Sequence, residues 1–367
     1  MLAIAVLLAM SAVSGGIVTA RAVGPSFDHA KLAQTARNGF IIPAYRAFDA
    51  SLARFQRAHS VHCAPSRARP DLSALRPAFR DVIAGWGGVE LISFGPIAER
   101  NRRERIFFWP DRRGIGRRQV LRLVRSRSTS VVEPQTLGRK SVAVQGLGAL
   151  ELLLYRAAPP GGQDVKADAY RCRYARAIIA NVRMIIANVL TAWSRTGRFT
   201  QLWLKPGPNN PAYLDVREPT LELVKAYDQA LEEVRDRRIA PALGFGPRRT
   251  KRRPVLWRSR LTMVLISANL RAARALYTQG GLAQAYLARF GQTEASIAHV
   301  AEIRSALTFA SDSSARLAQH DDPFALQQTA RKLIAIGLPL KRARVDAVTH
   351  LKRAADLSLG FNASDGD

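Results

Sequence analysis

Two carboxylates, Glu90 and Glu151, sit where helical periodicity places apolar side chains. In Val144-Gln145-Gly146-Leu147-Gly148-Ala149-Leu150-Glu151-Leu152-Leu153-Leu154-Tyr155, Val144, Gly148, Glu151 and Tyr155 share one face and Leu147, Leu150 and Leu154 another. A helix apolar almost all round is buried. Its carboxylate must then be paired, protonated, bound to a cation or turned into a cleft. Gly148 leaves empty space one turn before Glu151, although glycine costs about 1 kcal/mol of helix stability relative to alanine. Between Ser73 and Ser93, Phe79, Ile83, Trp86 and Glu90 form a matching stripe, with Glu90 one turn beyond the tryptophan. Two carboxylates reaching inward from different helices of one bundle make a hard-cation site. The alternative is that each pairs with one of the many arginines. The segment Phe107-Phe108-Trp109-Pro110-Asp111 offers Asp111 as a third group, or closes the bundle with aromatic bulk.

The histidines make no catalytic set. His59 and His62 have the most ligand-like spacing, i and i+3 beside Cys63, but fall where a helix ends and read as a surface pair. His29, His299, His320 and His350 are scattered without evident partners. The chain has no H-E-x-x-H, G-x-S-x-G or P-loop motif. Cys63 and Cys172 are the only cysteines, and in an exported protein such a pair forms one disulfide. The alternative, a two-cysteine metal site, lacks a further ligand at close spacing.

Helices must position these groups, because strand signals are scarce in the 367 residues and helical ones abundant. Helical patterns run from Asp28 to Ser60 with Pro43 as a kink, from Ser73 to Ser93, through the Gly148–Glu151 stretch, and from Ala167 to Arg195. Between Gly95 and Ser141 lies a long irregular segment with a short helical piece near Arg117 to Arg125, whose aromatic cluster argues for packing, and Pro159-Pro160-Gly161-Gly162 stops the following helix. After the linker Leu204-Lys205-Pro206-Gly207-Pro208-Asn209-Asn210-Pro211 come helices over Thr220–Arg238, Val255–Ala288 with a break at Gly280-Gly281, Glu294–Ser311, and Pro323–Leu357 with a break around Pro339. The expected fold is all-α: two packed four-helix-type bundles, residues 24–203 and 212–367.

Residues 1–22 form a short apolar run ending in Ala20-Arg21-Ala22, the pattern of a cleaved export signal, with a retained membrane anchor as the alternative. No other stretch is expected to reach transmembrane length. The formal net charge is +28, with arginine clusters at Arg100–Arg105, Arg112–Arg118 and Arg248–Arg253. Such a surface attracts polyanions, anionic lipid or acidic partners. Export and the absence of aromatics between the arginines argue against nucleic acid.

Several stretches together resemble the imelysin family of bacterial exported proteins, which includes iron-regulated imelysin-like proteins and periplasmic iron-uptake lipoproteins with an imelysin-type domain. They are Trp86-Gly87-Gly88-Val89-Glu90, Phe108-Trp109-Pro110-Asp111, Gly146-Leu147-Gly148-Ala149-Leu150-Glu151, Trp257-Arg258-Ser259, Ala268-Asn269-Leu270 and the ending Leu359–Asp367. The family motif, Gly-x-His-x-x-Glu, carries over at Gly146 and Glu151, while its histidine is Gly148 here. The resemblance implies helical bundles, a periplasmic location and a role in iron acquisition, with Trp86, Glu90, Asp111, Gly146, Gly148 and Glu151 around a ligand. Glu90 and Glu151 would ligate a metal ion (iron, zinc or calcium), or the chain would bind an anionic metal complex. Loss of the imidazole removes the best transition-metal ligand, so metallopeptidase activity is not expected. The alternatives are a metallopeptidase of imelysin type whose missing ligand comes from elsewhere, such as His59 or His62, and a non-catalytic scaffold docking on an acidic envelope partner.

Overall fold

A computed structural model describes residues 26–64, 66, 70–111, 113–155, 165–245, 253–320, 322–325 and 328–357. The leader, the Pro159–Gly162 stop, Arg112, residues 248–252 of the third arginine cluster and the ending from 358 lie outside them. Among the described residues the fold is all-α, as expected.

Helix α1 (His29–Ala36) passes through a π turn (Arg37–Ile41) into α2 (Ile42–His62). Pro43 has no N–H and its ring crowds the carbonyl one turn back, so the ladder widens just before it. Gly39 in that turn is needed for a second reason: a Cβ there would stand 2.3 Å from the Gln279 carbonyl oxygen. Helix α3 (Arg76–Val89) follows, with Glu90 as its C-cap. In the following segment the short helix expected near Arg117 to Arg125 is α5 (Ile115–Arg125), and the parts expected to be irregular also fold, into α4 (Arg102–Ile106), α6 (Pro134–Leu137) and short 3₁₀ turns. Then come α7 (Leu147–Leu154), α8 (Val165–Ala192) and α9 (Arg198–Leu204).

The linker is ordered by Asn210. Its amide donates to the carbonyls of Leu202 and Lys205, and its Oδ1 accepts from the amides of Ala212 and Tyr213. Beyond it lie α10 (Arg217–Glu232) with a π turn (Glu233–Ile239), α11 (Ala240–Leu243), α12 (Thr262–Thr278), α13 (Leu282–Phe290), α14 (Glu294–Leu317) and α15 (Thr329–Ala354). Helix α12 packs on α3 of the first half as well as on α14, and α1 packs on α10. Buried side chains from both halves form one continuous core, so the boundary along the chain is not a boundary in the packing.

Three expectations change. Helix α15 does not break at Pro339, because the stripe Leu333, Ile336, Leu340, Ala343 and Ala347 stays buried straight across it. Packing of that stripe outweighs the roughly 3 kcal/mol that an interior proline costs. Residues 255–261 are not helical, and α12 begins at Thr262. Helix α8 is long and apolar enough to cross a membrane by length and composition, contrary to expectation, but half of its apolar window is buried, as in a core helix.

Cys63 and Cys172 form the expected disulfide, tying the end of α2 to α8 with a Cα–Cα distance of 5.7 Å. That tie draws His59 inward, so it is not a surface residue: it is buried, with Nε2 2.9 Å from the Cys172 carbonyl oxygen. Burial lowers its pKa. Three of the scattered histidines also have partners. His29 Nδ1 lies 2.8 Å from Thr220 Oγ1, and the rings of His299 and His350 meet.

Candidate functional site

A cavity of about 330 Å³ opens where α7 meets the Phe107–Gly116 segment and the loop 253–258. Its floor is the face of α7 carrying Gly148 and Glu151; Phe108 and Trp109 form one wall and Trp257 another. Gly146 lies at the helix entrance, where a Cβ would stand 2.2 Å from the Ile106 carbonyl oxygen and 2.5 Å from that of Arg105. No side chain fits there, so this glycine lets the 105–106 backbone cross the start of α7. Gly148 is the opposite case: a Cβ would meet nothing nearer than the Phe108 carbonyl oxygen at 4.0 Å, so its face is open to the cavity.

Glu151 is buried, and its Oε1 accepts from the backbone amide of Ser259 at 2.9 Å and from the Ser259 hydroxyl at 2.8 Å. The loop that delivers Ser259 places two non-glycine residues, Leu256 (φ 56°) and Arg260 (φ 59°), in the left-handed region. Each such residue costs on the order of 1 kcal/mol, so packing must hold the turn in place. Burial pushes the Glu151 carboxyl above its ordinary pKa, and the Ser259 bonds and the Arg258 charge offset this only partly. Arg258 feels Glu151, Arg117, Arg253 and Asp111 together. Arg253 and Arg258 each hold a guanidinium 4.4 Å from the Trp257 ring centroid, an arrangement favoured by the ring quadrupole. Three arginines and two acids thus surround a cavity with aromatic walls.

Asp111 belongs to this cavity, but its oxygens are engaged at the start of α5. Oδ1 accepts from the Ile115 amide at 2.7 Å and Oδ2 from the Arg117 amide at 3.3 Å. Glu90 and Trp86 do not line it. Trp86 packs behind Phe107, with ring centroids 6.2 Å apart. Glu90 lines a separate cavity of about 220 Å³ with Arg103, Glu233 and Asn269. There Arg238 Nη2 donates to Glu90 Oε1 at 2.7 Å, and Asn269 Nδ2 donates to Oε2 at 3.0 Å. Burial raises the Glu90 pKa, but the Arg238 charge and hydrogen bond, with Arg103 and Asn269, reverse this and leave it below the ordinary value. The fate weighed for both acids, pairing with an arginine, is the one Glu90 meets. Arg238 also lies over Trp109, 5.5 Å from its centroid, and Trp109 lines the cavity over Glu151.

The model of the imelysin family matches residues 41–357. The chain belongs to the imelysin family. Its fold is that of an imelysin-like protein from Psychrobacter arcticum, with a TM-score of 0.73 at 16% identity over 92% of this chain and 100% of that one. A structure from Parabacteroides distasonis, described as an iron-regulated protein A precursor, gives a TM-score of 0.65 at 11% identity over 92% of this chain and 96% of that one. No curated protein matches at a comparable level.

In this imelysin the motif glycine and glutamate keep distinct duties, Gly146 for backbone crossing and Glu151 for the floor of the cavity. Sequence reasoning named Ser259 and Asn269 only within stretches that carry the resemblance, and assigned neither them nor Arg238 as partners of the acids: Arg238 and Asn269 hold Glu90, and Ser259 holds Glu151. The available signal was the run Trp257-Arg258-Ser259 after a basic cluster, with a polar Asn269 inside the otherwise apolar α12.

Because burial raises the Glu151 pKa, its charged form opposes folding. Its favourable contribution is present below the unfolded pKa and is lost as pH rises through the folded one. Glu151→Gln, which keeps an oxygen for Ser259, is therefore expected to match the parent near pH 4 and exceed it in melting temperature by a few degrees near pH 8. A variant less stable at the higher pH would show that the charged carboxylate is favoured.

Proposed function

We propose that this imelysin is an exported binding protein that captures an anionic metal complex, in the service of iron acquisition, in the cavity over Gly148. The observation that carries the reading is the open face of Gly148 beside buried Glu151, with Arg117, Arg253 and Arg258 around it. A bare cation fits this donor set poorly: Glu90 is bonded to Arg238 in another cavity, Glu151 Oε1 is held by Ser259, and position 148 has no side chain. A metal already carrying carboxylate or phosphate ligands suits the arginines and aromatic walls. Hydrolysis would need a ligand set that activates a water, and these residues do not assemble one around Glu151. Export to the periplasm is supported by the apolar leader with its Ala20-Arg21-Ala22 end and by the disulfide, a bond that persists in oxidising compartments.

The test is the melting temperature of the purified protein with ferric citrate, beside citrate alone. At 100 times its dissociation constant the complex adds about 2.7 kcal/mol of stability. The gain should vanish in Arg258→Ala, and in Gly148→Phe, which fills the cavity. No shift with ferric citrate in a folded protein overturns the reading and leaves docking on an acidic envelope partner in its place.

A further inference from the structure

A separate surface lies on α15, which takes no part in the cavity over Gly148. Its buried stripe, Leu333, Ile336, Leu340 and Ala343, holds the helix against the core. On the opposite face Ile334 is 44% exposed, Leu338 71% and Val345 51%. At 3.6 residues per turn these three fall within about 40° of one another, in a line along the helix axis. Beside them Gly337 faces open space: among the described residues, nothing lies within 4 Å of where its Cβ would stand. Helix α14 extends the patch. Glu302 pairs with Arg342 at 2.9 Å and His299 meets His350, so the two helices run antiparallel. That register sets Phe309, two turns beyond Glu302 and 46% exposed, level with Ala335 and beside Ile334.

Single exposed apolar side chains are ordinary, but a line of them on a helix already buried on its other face marks an interaction surface. Charge decides what covers it. From Arg331 to Asp346 the helix carries Arg331, Lys332, Lys341, Arg342 and Arg344 against one acid, Asp346. Arg344 turns inward to Asp228 and Glu232, while the other four cations are exposed around the apolar line. A second copy of a chain with net charge +28 would bring the same basic patch against itself. An anionic surface is complementary instead. We infer that the outer face of α15 docks on an anionic lipid surface, with Ile334, Leu338 and Val345 set into the headgroup boundary and the basic side chains on the lipid phosphates.

The pattern is that of a helix lying in a bilayer interface: apolar residues on one line, flanked by long cations whose heads stay in the headgroup layer. Lys341 lies on the line itself, between Leu338 and Val345. Glu302 and Asp346 oppose the lipid phosphates, but both are held by Arg342, which leaves Arg331, Lys332 and Lys341 as the surplus charge. The helix is fixed in the fold before contact, so docking costs little ordering. Three apolar side chains anchor weakly by themselves, so charge and apolar burial must act together.

The experiment is co-sedimentation of the intact protein with vesicles of equal parts phosphatidylglycerol and phosphatidylcholine, beside phosphatidylcholine alone. The parent should bind the anionic vesicles and bind the neutral ones about tenfold or more weakly. Ile334→Ser combined with Leu338→Ser should weaken binding to the anionic vesicles by about tenfold. Arg331→Gln with Lys341→Gln should weaken it by a similar factor, and Leu214→Ser, at an exposed leucine before α10, should leave it unchanged. Circular dichroism confirms that each variant is folded. Absence of vesicle binding by the parent overturns the inference. So does undiminished binding of the folded Ile334→Ser, Leu338→Ser variant, which would place adsorption on the arginine clusters elsewhere. A parent dimer in analytical ultracentrifugation that this variant dissociates would overturn it in favour of a second copy, and retention on poly-glutamate without vesicle binding in favour of an acidic protein.

Discussion

Substituting Arg238 with methionine is expected to destabilise the protein by about 3–5 kcal/mol, the range for removing one partner of a buried ion pair. The Arg238 side chain is 1% exposed; it donates to Glu90 Oε1 at 2.7 Å and bonds the Asn269 oxygen. Its Nε stands 3.6 Å from Glu233 Oε1, an ion-pair contact rather than a hydrogen bond. Methionine would fill much of the volume but leave Glu90 buried with Asn269 as its remaining side-chain donor. Urea unfolding measures the loss. The double variant Arg238→Met with Glu90→Gln should recover a large part of it, since removing both charges of a buried pair is often close to neutral. A single-variant loss below about 1 kcal/mol would mean that solvent or Arg103 already compensates Glu90.

The same pair sets an acid limit. The Glu90 pKa is lowered in the folded state, so its contribution is present above the unfolded pKa and disappears as pH falls through the folded one. The stability gap between parent and Arg238→Met should therefore narrow in acid, below about pH 4. Both gaps widen as pH rises, but with opposite sign: Arg238→Met falls further below the parent, whereas Glu151→Gln rises above it. Two buried acids in one core thus titrate in opposite senses because one meets an arginine and the other a serine and a backbone amide.

That difference marks how far the sequence could be read. Burial of Glu90 and Glu151 was legible, because a 3.6-residue stripe of large apolar side chains leaves a carboxylate on it nowhere else to go. The all-helical fold was legible for the same reason, as were the Gly280-Gly281 break and the disulfide between the only two cysteines. The partners were not. Arg238 is 148 positions from Glu90 and Ser259 is 108 from Glu151, and nothing local distinguishes that arginine from the others. The two acids also line different cavities, which stripes on single helices cannot reveal. The backbone of the 253–261 loop was hidden because its left-handed residues are Leu256 and Arg260 rather than glycines. Pro339 misled in the other direction, since a local breaker yields when the buried face on both sides of it is continuous.

Opening the disulfide is the second large expected effect. Cys63 and Cys172 are 109 positions apart, and closing a loop of that length removes about 4–5 kcal/mol of unfolded-state entropy in the chain-entropy model. Native disulfides typically return about 2–5 kcal/mol on removal, so Cys63→Ser with Cys172→Ser should cost that much in chemical unfolding. The cost should be felt at the end of α2, where His59 meets the Cys172 carbonyl, before it reaches the cavity over Gly148. Hydrogen exchange should accordingly rise first in residues 55–63 and the facing turns of α8, with α7 and α12 protected until global unfolding. Reduction by a thiol should reproduce the substitution, and a variant as stable as the oxidised parent would show that packing of α2 on α8 suffices without the bond.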